Sequence, residues 1–377
     1  MQVKLGEICE VKSGKRLPQG RNLIKENTGF PYLRLVDCGE KYPIENNIHF
    51  LEKDVYEKIK QYKIFTNEVF LSVVGTIGIV GIIPEKFNGI NLTENANKLV
   101  IKEEYEDNVN AEYLYYWLKS NTGQSAINKG TVGSIQPKLP MYNIENFEIN
   151  LPHRKIQDKI AEILSGIDEQ INRNNEIVKK LQVLGNTIYS KNAKLQTSTF
   201  NIENICKPTW GNCPAGEYIL SQYSDNTIPY ASGAGDIDNC ISVNPKAFTN
   251  KPTRIVHKND ICISVAGTVG KIAIATEDIC IGRAMLAFSN PKLYGYIYFG
   301  LNSYTSALQK KATGAIQKIV NSEHLSIINL PTYTDKVVEN LNLIVDEILR
   351  VEEQTKRLNR LKEKLLPLLI NGQLMIK

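Results

Sequence analysis

Two stretches of this chain place apolar residues at alternating steps of three and four. The first runs through Ile156, Ile160, Ile163, Ile167, Gln170, Asn174, Ile177, Leu181, Leu184 and Ile188, and the second through Leu341, Ile344, Ile348, Val351, Thr355, Leu358, Lys362 and Leu365. Such spacing predicts long amphipathic helices with a seam made for another helix. Adding 181 to the first register from Ile160 onward lands on the second, so Asn174 and Thr355 are matched polar interruptions. Neither stripe is stable alone in water. The simplest way to bury both is to pack them on each other within one chain, in either direction; a coiled coil between separate copies of the chain is the competing arrangement. From Ile156 to about Asn192 the first helix would measure roughly 55 Å at 1.5 Å per residue.

Outside these stripes the periodicity shortens. Pro31-Tyr-Leu-Arg-Leu-Val36 and Ile261-Cys-Ile-Ser-Val265 read as strands, and Ala111-Glu-Tyr-Leu-Tyr-Tyr-Trp-Leu118 as a buried helix, which predicts mixed α/β (α+β) globular domains. There are two copies. Leu71-Ser-Val-Val-Gly-Thr-Ile-Gly78 returns as Ile263-Ser-Val-Ala-Gly-Thr-Val-Gly270, Lys129-Gly-Thr-Val-Gly-Ser-Ile-Gln136 as Lys310-Lys-Ala-Thr-Gly-Ala-Ile-Gln317, and Ile149-Asn-Leu-Pro152 as Ile328-Asn-Leu-Pro331, in the same order. Two copies are too few for a solenoid, and each is large enough to be a domain. The glycines of the Ser-x-x-Gly-Thr-x-Gly segment suit a tight turn after an apolar strand. Pro152 and Pro331 are expected at the starts of the two helices. The predicted organisation is a domain over 1–153, a helix over 154–195, a second domain over 196–331 and a second helix over 332–377. Ile228-Pro-Tyr-Ala-Ser-Gly-Ala-Gly235 has no evident counterpart in the first copy.

Composition narrows the chemistry. The 377 residues are 42% hydrophobic, ordinary for globular protein, with no apolar run of the roughly 20 residues a membrane span needs and no signal-peptide core at Met1–Glu10, so a cytoplasmic, membrane-free protein is expected. Seven cysteines without a CxxC pair and four scattered histidines predict reduced thiols and no metal site. A phosphate-binding loop is excluded at Gly270-Lys271, because Val265 stands where its first glycine belongs and Ile272 where Ser or Thr is required. No GxGxxG opens either domain and no Asn/Asp-Pro-Pro-Tyr segment occurs, so catalysis is not expected and no cofactor is assigned to this chain.

A net charge of +5 permits a nucleic-acid partner without announcing one. Lys12, Lys15, Arg16 and Arg21 cluster around Ser13-Gly14; Lys129, Gln136 and Lys138 flank the glycines at 130 and 133. The second copy offers Lys271, Arg283, Lys310, Lys311, Gln317 and Lys318. Arginine and lysine suit guanine edges or phosphates and glutamine suits adenine. Lys15, Arg16, Gln136, Lys138, Lys271, Arg283, Gln317 and Lys318 are the candidate DNA contacts, each with a solvated surface charge or amide as its plain alternative.

With both repeats in place the chain resembles the specificity subunits of Type I restriction-modification systems, over its full length. The resembling pieces are Lys4-Leu-Gly-Glu-Ile-Cys9, the two Ser-x-x-Gly-Thr-x-Gly segments, the Ile-Gln pairs at 135–136 and 316–317, the Leu-Pro pairs before the helices, and Lys364-Leu-Leu-Pro-Leu-Leu-Ile-Asn-Gly-Gln373. The resemblance implies two target-recognition domains, each reading half of an asymmetric bipartite target in double-stranded DNA. It implies an antiparallel coiled coil of the two helices that fixes the gap, its seam formed by Ile160, Ile163, Ile167, Asn174, Ile177 and Leu181 against Ile344, Ile348, Val351, Thr355, Leu358 and Leu365. It further implies two DNA methyltransferase subunits docked on the chain and restriction (endonuclease/translocase) subunits joined through them, with S-adenosylmethionine and ATP on those partners. A self-contained methyltransferase or nuclease would need signatures that are missing here. A non-catalytic coiled-coil scaffold joining two binding domains is the alternative.

Overall fold

A computed structural model describes residues 2–238, 240–312 and 319–374. The chain forms two compact units, one made of residues up to Glu169 together with those from Leu358 onward, the other of Gln170–Arg357.

In the first unit the apolar run Val69–Ser72 is buried on both faces, as befits an inner strand. It pairs antiparallel with Val80–Ile82 and with Ala96–Ile101, which pairs in turn with Cys9–Ser13. A second small sheet runs His49–Phe50, Pro31–Leu33, Ile90–Leu92, Lys63–Ile64, with Pro31–Leu33 and Ile90–Leu92 parallel. The helix Ala111–Lys119 buries Tyr113 through Leu118 in the core beneath the first sheet, its N-terminus capped by Asn110 Oδ1, which accepts from the Tyr113 amide at 3.0 Å. The second unit repeats this plan. Lys207–Trp210, Met285–Ser289, Ile261–Ser264 and Ile272–Ile274 form the antiparallel sheet, and Ile228–Ala231 pairs parallel with Ile279–Ile281 in the other.

This topology corrects one reading of the sequence. Ile228–Ala231 does have a counterpart: Tyr230 pairs with Cys280 and Ala231 with Ile281 as Tyr32 pairs with Asn91 and Leu33 with Leu92. Only the Pro-Tyr dipeptide is shared, and the insertions before it hide the match. A second correction concerns the Ile-Asn-Leu-Pro quartets. They do not start helices; Glu148–Asn150 pairs with Gln2–Lys4, and Asn329–Pro331 pairs with Thr199–Asn201, with Ile149 and Leu330 fully buried. The long helices follow at Arg154–Leu195 and Asp335–Ile370.

Each unit contains a stretch of both helices, packed antiparallel. In the first, Ile160 and Leu164 share a core with Leu369 and Ile370, and the Lys362 ammonium lies 2.5 Å from the Asp168 carboxylate. In the second, Asn174 Nδ2 donates to Thr355 Oγ1 at 3.2 Å, and Asn192 Nδ2 donates to the Thr332 carbonyl at 2.9 Å. The matched polar interruptions therefore meet each other. Ile344, Ile348 and Val351 are buried, Ile160 is buried, and Ile167, Leu181, Leu358 and Leu365 are half-buried.

Ile163 and Ile177 lie elsewhere, at 39% and 41% exposure. The buried residues of the first helix include Ile160 and Asn174 of the expected seam, and with them the neighbouring positions Gln157, Leu164, Asp168 and Ile171. Gln157 donates to the Asn108 and Pro152 carbonyls and accepts from the Asn110 amide. A count of apolar residues misses slots that hydrogen-bonded polar side chains fill, and it moves the seam to the isoleucines beside them.

Candidate nucleic-acid interface

The Ser-x-x-Gly-Thr-x-Gly segment makes the same turn in both units. Ser72 Oγ donates to the Thr76 carbonyl at 2.7 Å and accepts from the Ile79 amide at 2.8 Å; Ser264 Oγ does the same with the Thr268 carbonyl at 2.6 Å and the Lys271 amide at 2.9 Å. Gly75 and Gly267 have φ of 76° and 74°, and Gly78 and Gly270 have 93° and 88°, a left-handed backbone that favours glycine. The buried serine is the turn's internal clasp and is spent there. The turn holds Gly75 and Thr76, or Gly267 and Thr268, out to solvent.

Three further loops converge on this turn in the first unit. The Val73 amide bonds the Asn95 carbonyl, the Leu139 amide bonds the Val73 carbonyl, and the Gly14 amide bonds the Ala96 carbonyl. The segment ending at Leu139 is a hairpin closed by reciprocal Val132 and Lys138 backbone bonds of 2.8 and 2.9 Å. Gln136 and Lys138 are exposed on it, and Ile135 is 94% exposed. Lys15 and Arg16 follow Gly14, whose missing side chain matters: a Cβ there would stand 2.1 Å from the Thr93 carbonyl oxygen. The Lys15 ammonium sits 5.4 Å from the centre of the Tyr62 ring, while Arg16 Nε donates to Glu94 Oε1 at 2.9 Å with the rest of its side chain in solvent. Lys15, Arg16, Gln136 and Lys138 thus lie on loops tied to one turn of one unit. Lys12 and Arg21 are ion-paired, to Glu10 and to Glu52 and Asp54.

In the second unit the same bonds recur: Val265 amide to Ala284 carbonyl, Val320 amide to Val265 carbonyl, Gly211 amide to Met285 carbonyl. Arg283 is exposed in this corner. Cys213 lies beside it; burial raises the thiol's pKa, but hydrogen bonds from Arg283 and Tyr230 outweigh that and bring it below the ordinary cysteine range. The Lys271 ammonium donates to the Ala234 and Ile237 carbonyls at 3.1 and 2.7 Å and so ties down that loop, while the residue itself is exposed. Gln317 and Lys318 lie outside the described residues.

Sequence reasoning did not place Glu94 or Cys213 in these corners. The usable signal was Ser13-Gly14-Lys15 against Trp210-Gly211-Asn212, since Gly211 has the same excuse as Gly14, a Cβ 2.1 Å from the Gly282 carbonyl oxygen. Among the described residues no three His, Cys, Asp or Glu side chains gather as metal ligands, and no helix is long and apolar enough to cross a membrane. The seven cysteines are free; burial pushes the Cys9 and Cys206 thiols up to about 12.

The family model for the Type I restriction modification DNA specificity domain matches this chain twice, over residues 1–184 and 195–332. The chain belongs to the type I restriction-modification specificity subunits, with two copies of the DNA specificity domain. It is 24% identical over 421 aligned positions to the type I restriction enzyme MjaX specificity subunit of Methanocaldococcus jannaschii, covering 99% of this chain and 93% of that one. The MjaVIII specificity subunit of the same organism is 25% identical over 173 positions, 45% of this chain and 39% of the relative. A type I S subunit from M. genitalium shares the fold, with a TM-score of 0.67 at 16% identity over 98% of this chain and 96% of that chain.

Proposed function

We propose that each unit reads one half of a bipartite target in double-stranded DNA through its loop corner, and that the two halves differ in sequence. The observation that carries this is a corner built twice on the same backbone bonds and furnished with different side chains, Lys15, Arg16 and Glu94 in one unit and Asn212, Cys213 and Arg283 in the other. A shared frame positions; unlike side chains discriminate. The chain itself performs no chemistry on this reading. S-adenosylmethionine and ATP bind to methyltransferase and restriction subunits that assemble with it in the cytoplasm.

The two long helices set the number of unread base pairs between the halves and dock two methyltransferase subunits. Support for docking comes from Ile156, Ile163, Ile177 and Leu184, apolar residues that the first helix leaves exposed where solvent alone favours polar ones. Purified complex with methyltransferase subunits, sequenced for methylated positions on random DNA, should return two unlike half-sites separated by a fixed gap. Binding should fall steeply with salt. Adding one helical turn to both helices should lengthen the gap and leave the half-sites unchanged; altered half-site bases would overturn the spacer role. Methyl transfer by this chain alone would overturn the non-catalytic reading.

A further inference from the structure

The backbone bonds of the two corners allow residue-by-residue equivalence where sequence alignment fails. The Lys15 amide bonds the Leu92 carbonyl as the Asn212 amide bonds the Ile281 carbonyl, so with Gly14 matched to Gly211, Arg16 stands where Cys213 stands. The Thr93 amide bonds the Leu33 carbonyl as the Gly282 amide bonds the Ala231 carbonyl, and the Asn95 and Ala284 carbonyls accept from Val73 and Val265; Glu94 therefore stands where Arg283 stands. Each corner holds one arginine at the contact of these two loops, but the units supply it from opposite loops.

We infer that Arg16 and Arg283 are equivalent base-reading guanidiniums of the two half-sites, and that Glu94, across the first corner, positions Arg16. This rests on the DNA-reading role proposed above. In the first unit the carboxylate of Glu94 engages Nε of Arg16, which leaves both terminal amino groups of a guanidinium whose side chain is 81% exposed free to form a fork. That fork matches the two acceptors on the major-groove edge of guanine. The same geometry suits a phosphate, but a phosphate contact is identical for every sequence and gives no reason to rebuild the corner between units. Here the frame is kept, in Gly14 and Gly211, Ser72 and Ser264, Gly75 and Gly267, while the charged pair is rearranged. Glu94 also takes a hydrogen bond from Thr93 Oγ1 at 3.0 Å, which fixes the carboxylate before any ligand arrives.

The test uses the full chain assembled with its methyltransferase subunits and duplex libraries in which one half-site at a time is randomised. Arg283→Glu should reduce discrimination at one position of one half-site by roughly tenfold or more, the scale of a lost bidentate arginine contact. Adding Cys213→Arg to that variant recreates the pair of the first unit and should recover most of the loss. Glu94→Gln should loosen one position of the other half-site by about tenfold and leave the first untouched. Arg283→Lys, which preserves charge on an exposed loop, should lose discrimination as Arg283→Glu does while retaining affinity for random DNA. A double variant as defective as Arg283→Glu, or base preferences unmoved by Glu94→Gln, would overturn the inference. So would a loss uniform over all sequences with a salt slope lower by about one, which marks a phosphate contact. A wild-type complex with no base preference would overturn the proposed function, and this inference with it.

Discussion

In the first unit the two long helices include a charged pair among their contacts; in the second, the equivalent positions, 181 residues displaced, are leucines. Lys362 and Asp168 are both buried and in contact, with the Tyr116 hydroxyl donating to the other Asp168 oxygen at 2.7 Å and Glu40 3.1 Å from the ammonium. Their counterparts, Leu181 and Leu349, pack into the apolar core of the second unit. The second unit instead ties its helix to the globular part through Glu352, which accepts from the Ile241 and Ser242 amides and the Ser242 hydroxyl. One heptad seam thus accepts either solution, and the difference separates what a helix pair requires, matched volume, from what fixes a particular pairing, a charge with one partner.

The largest effect should come from breaking the charged junction on one side. Lys362→Leu alone strands a buried carboxylate and should destabilise the first unit by about 3–5 kcal/mol, whereas Lys362→Leu with Asp168→Leu, which copies the second unit, should fall within about 1–2 kcal/mol of wild type. The remainder is the Tyr116 hydroxyl, which loses its acceptor. Calorimetry of the three proteins decides the matter. The same pair has a pH signature. Burial disfavours the Lys362 ammonium, but Asp168 and Glu40 outweigh it and hold the pKa above the ordinary lysine value. The lysine's contribution is then present below about pH 10.5 and lost as pH climbs through the raised value, so wild type should lose its margin over the double leucine variant in strong alkali.

Much of this plan was legible in the sequence. The doubled Ser-x-x-Gly-Thr-x-Gly turn, the matched helices and the equivalence of Asn174 with Thr355 are local patterns, and local patterns survive divergence. What escaped depends on contacts between distant residues. Ile163 and Ile177 are exposed while Gln157 and Asp168 nearby are buried, each held by a hydrogen-bonding partner 47 or more residues away. The anchoring of Lys271 was not legible because its acceptors lie on the loop at 234–237. The opposition of Arg16 to Glu94 spans 78 residues and no periodicity encodes it.

Where the units agree, equal perturbations should cost the same. Gly14→Ala and Gly211→Ala each drive a methyl group to 2.1 Å from a carbonyl oxygen, and each should cost about 1–3 kcal/mol through forced backbone shifts. A large inequality in chemical denaturation would mean that the two corners are not built alike, and would weaken the equivalence of Arg16 with Cys213. A smaller effect is expected at the seam. Asn174→Leu removes the bond to Thr355, whose hydroxyl keeps the Val351 carbonyl as acceptor at 3.0 Å, and it buries an apolar side chain in exchange. A gain of about 1 kcal/mol should result, at the expense of register selectivity. A loss of more than 1 kcal/mol would mark the amide as a stabilising element.

The smallest effect sharpens the comparison at a single turn. The Phe65 amide donates to Glu68 at 2.9 Å and the His257 amide to Asp260 at 2.8 Å, with Asn67 and Asn259 at φ of 65° and 72°, so phenylalanine in one unit stands where histidine stands in the other. The Phe65 ring lies under the Lys98 ammonium at 5.2 Å, whereas the His257 ring meets the Asp278 carboxylate at 2.9 Å and its pKa is raised by that hydrogen bond. A raised histidine stabilises the fold fully below its unfolded value near 6.5 and loses that contribution as pH rises through the folded value. Because the His257 side chain is 69% exposed, solvent screening should keep the contribution well below 1 kcal/mol. His257→Phe should therefore flatten the small fall in melting temperature of the second unit just above pH 6.5 and change little else. A fall that persists unchanged in the variant would place the titrating group elsewhere and leave the two turns alike in backbone but not in the work their side chains do.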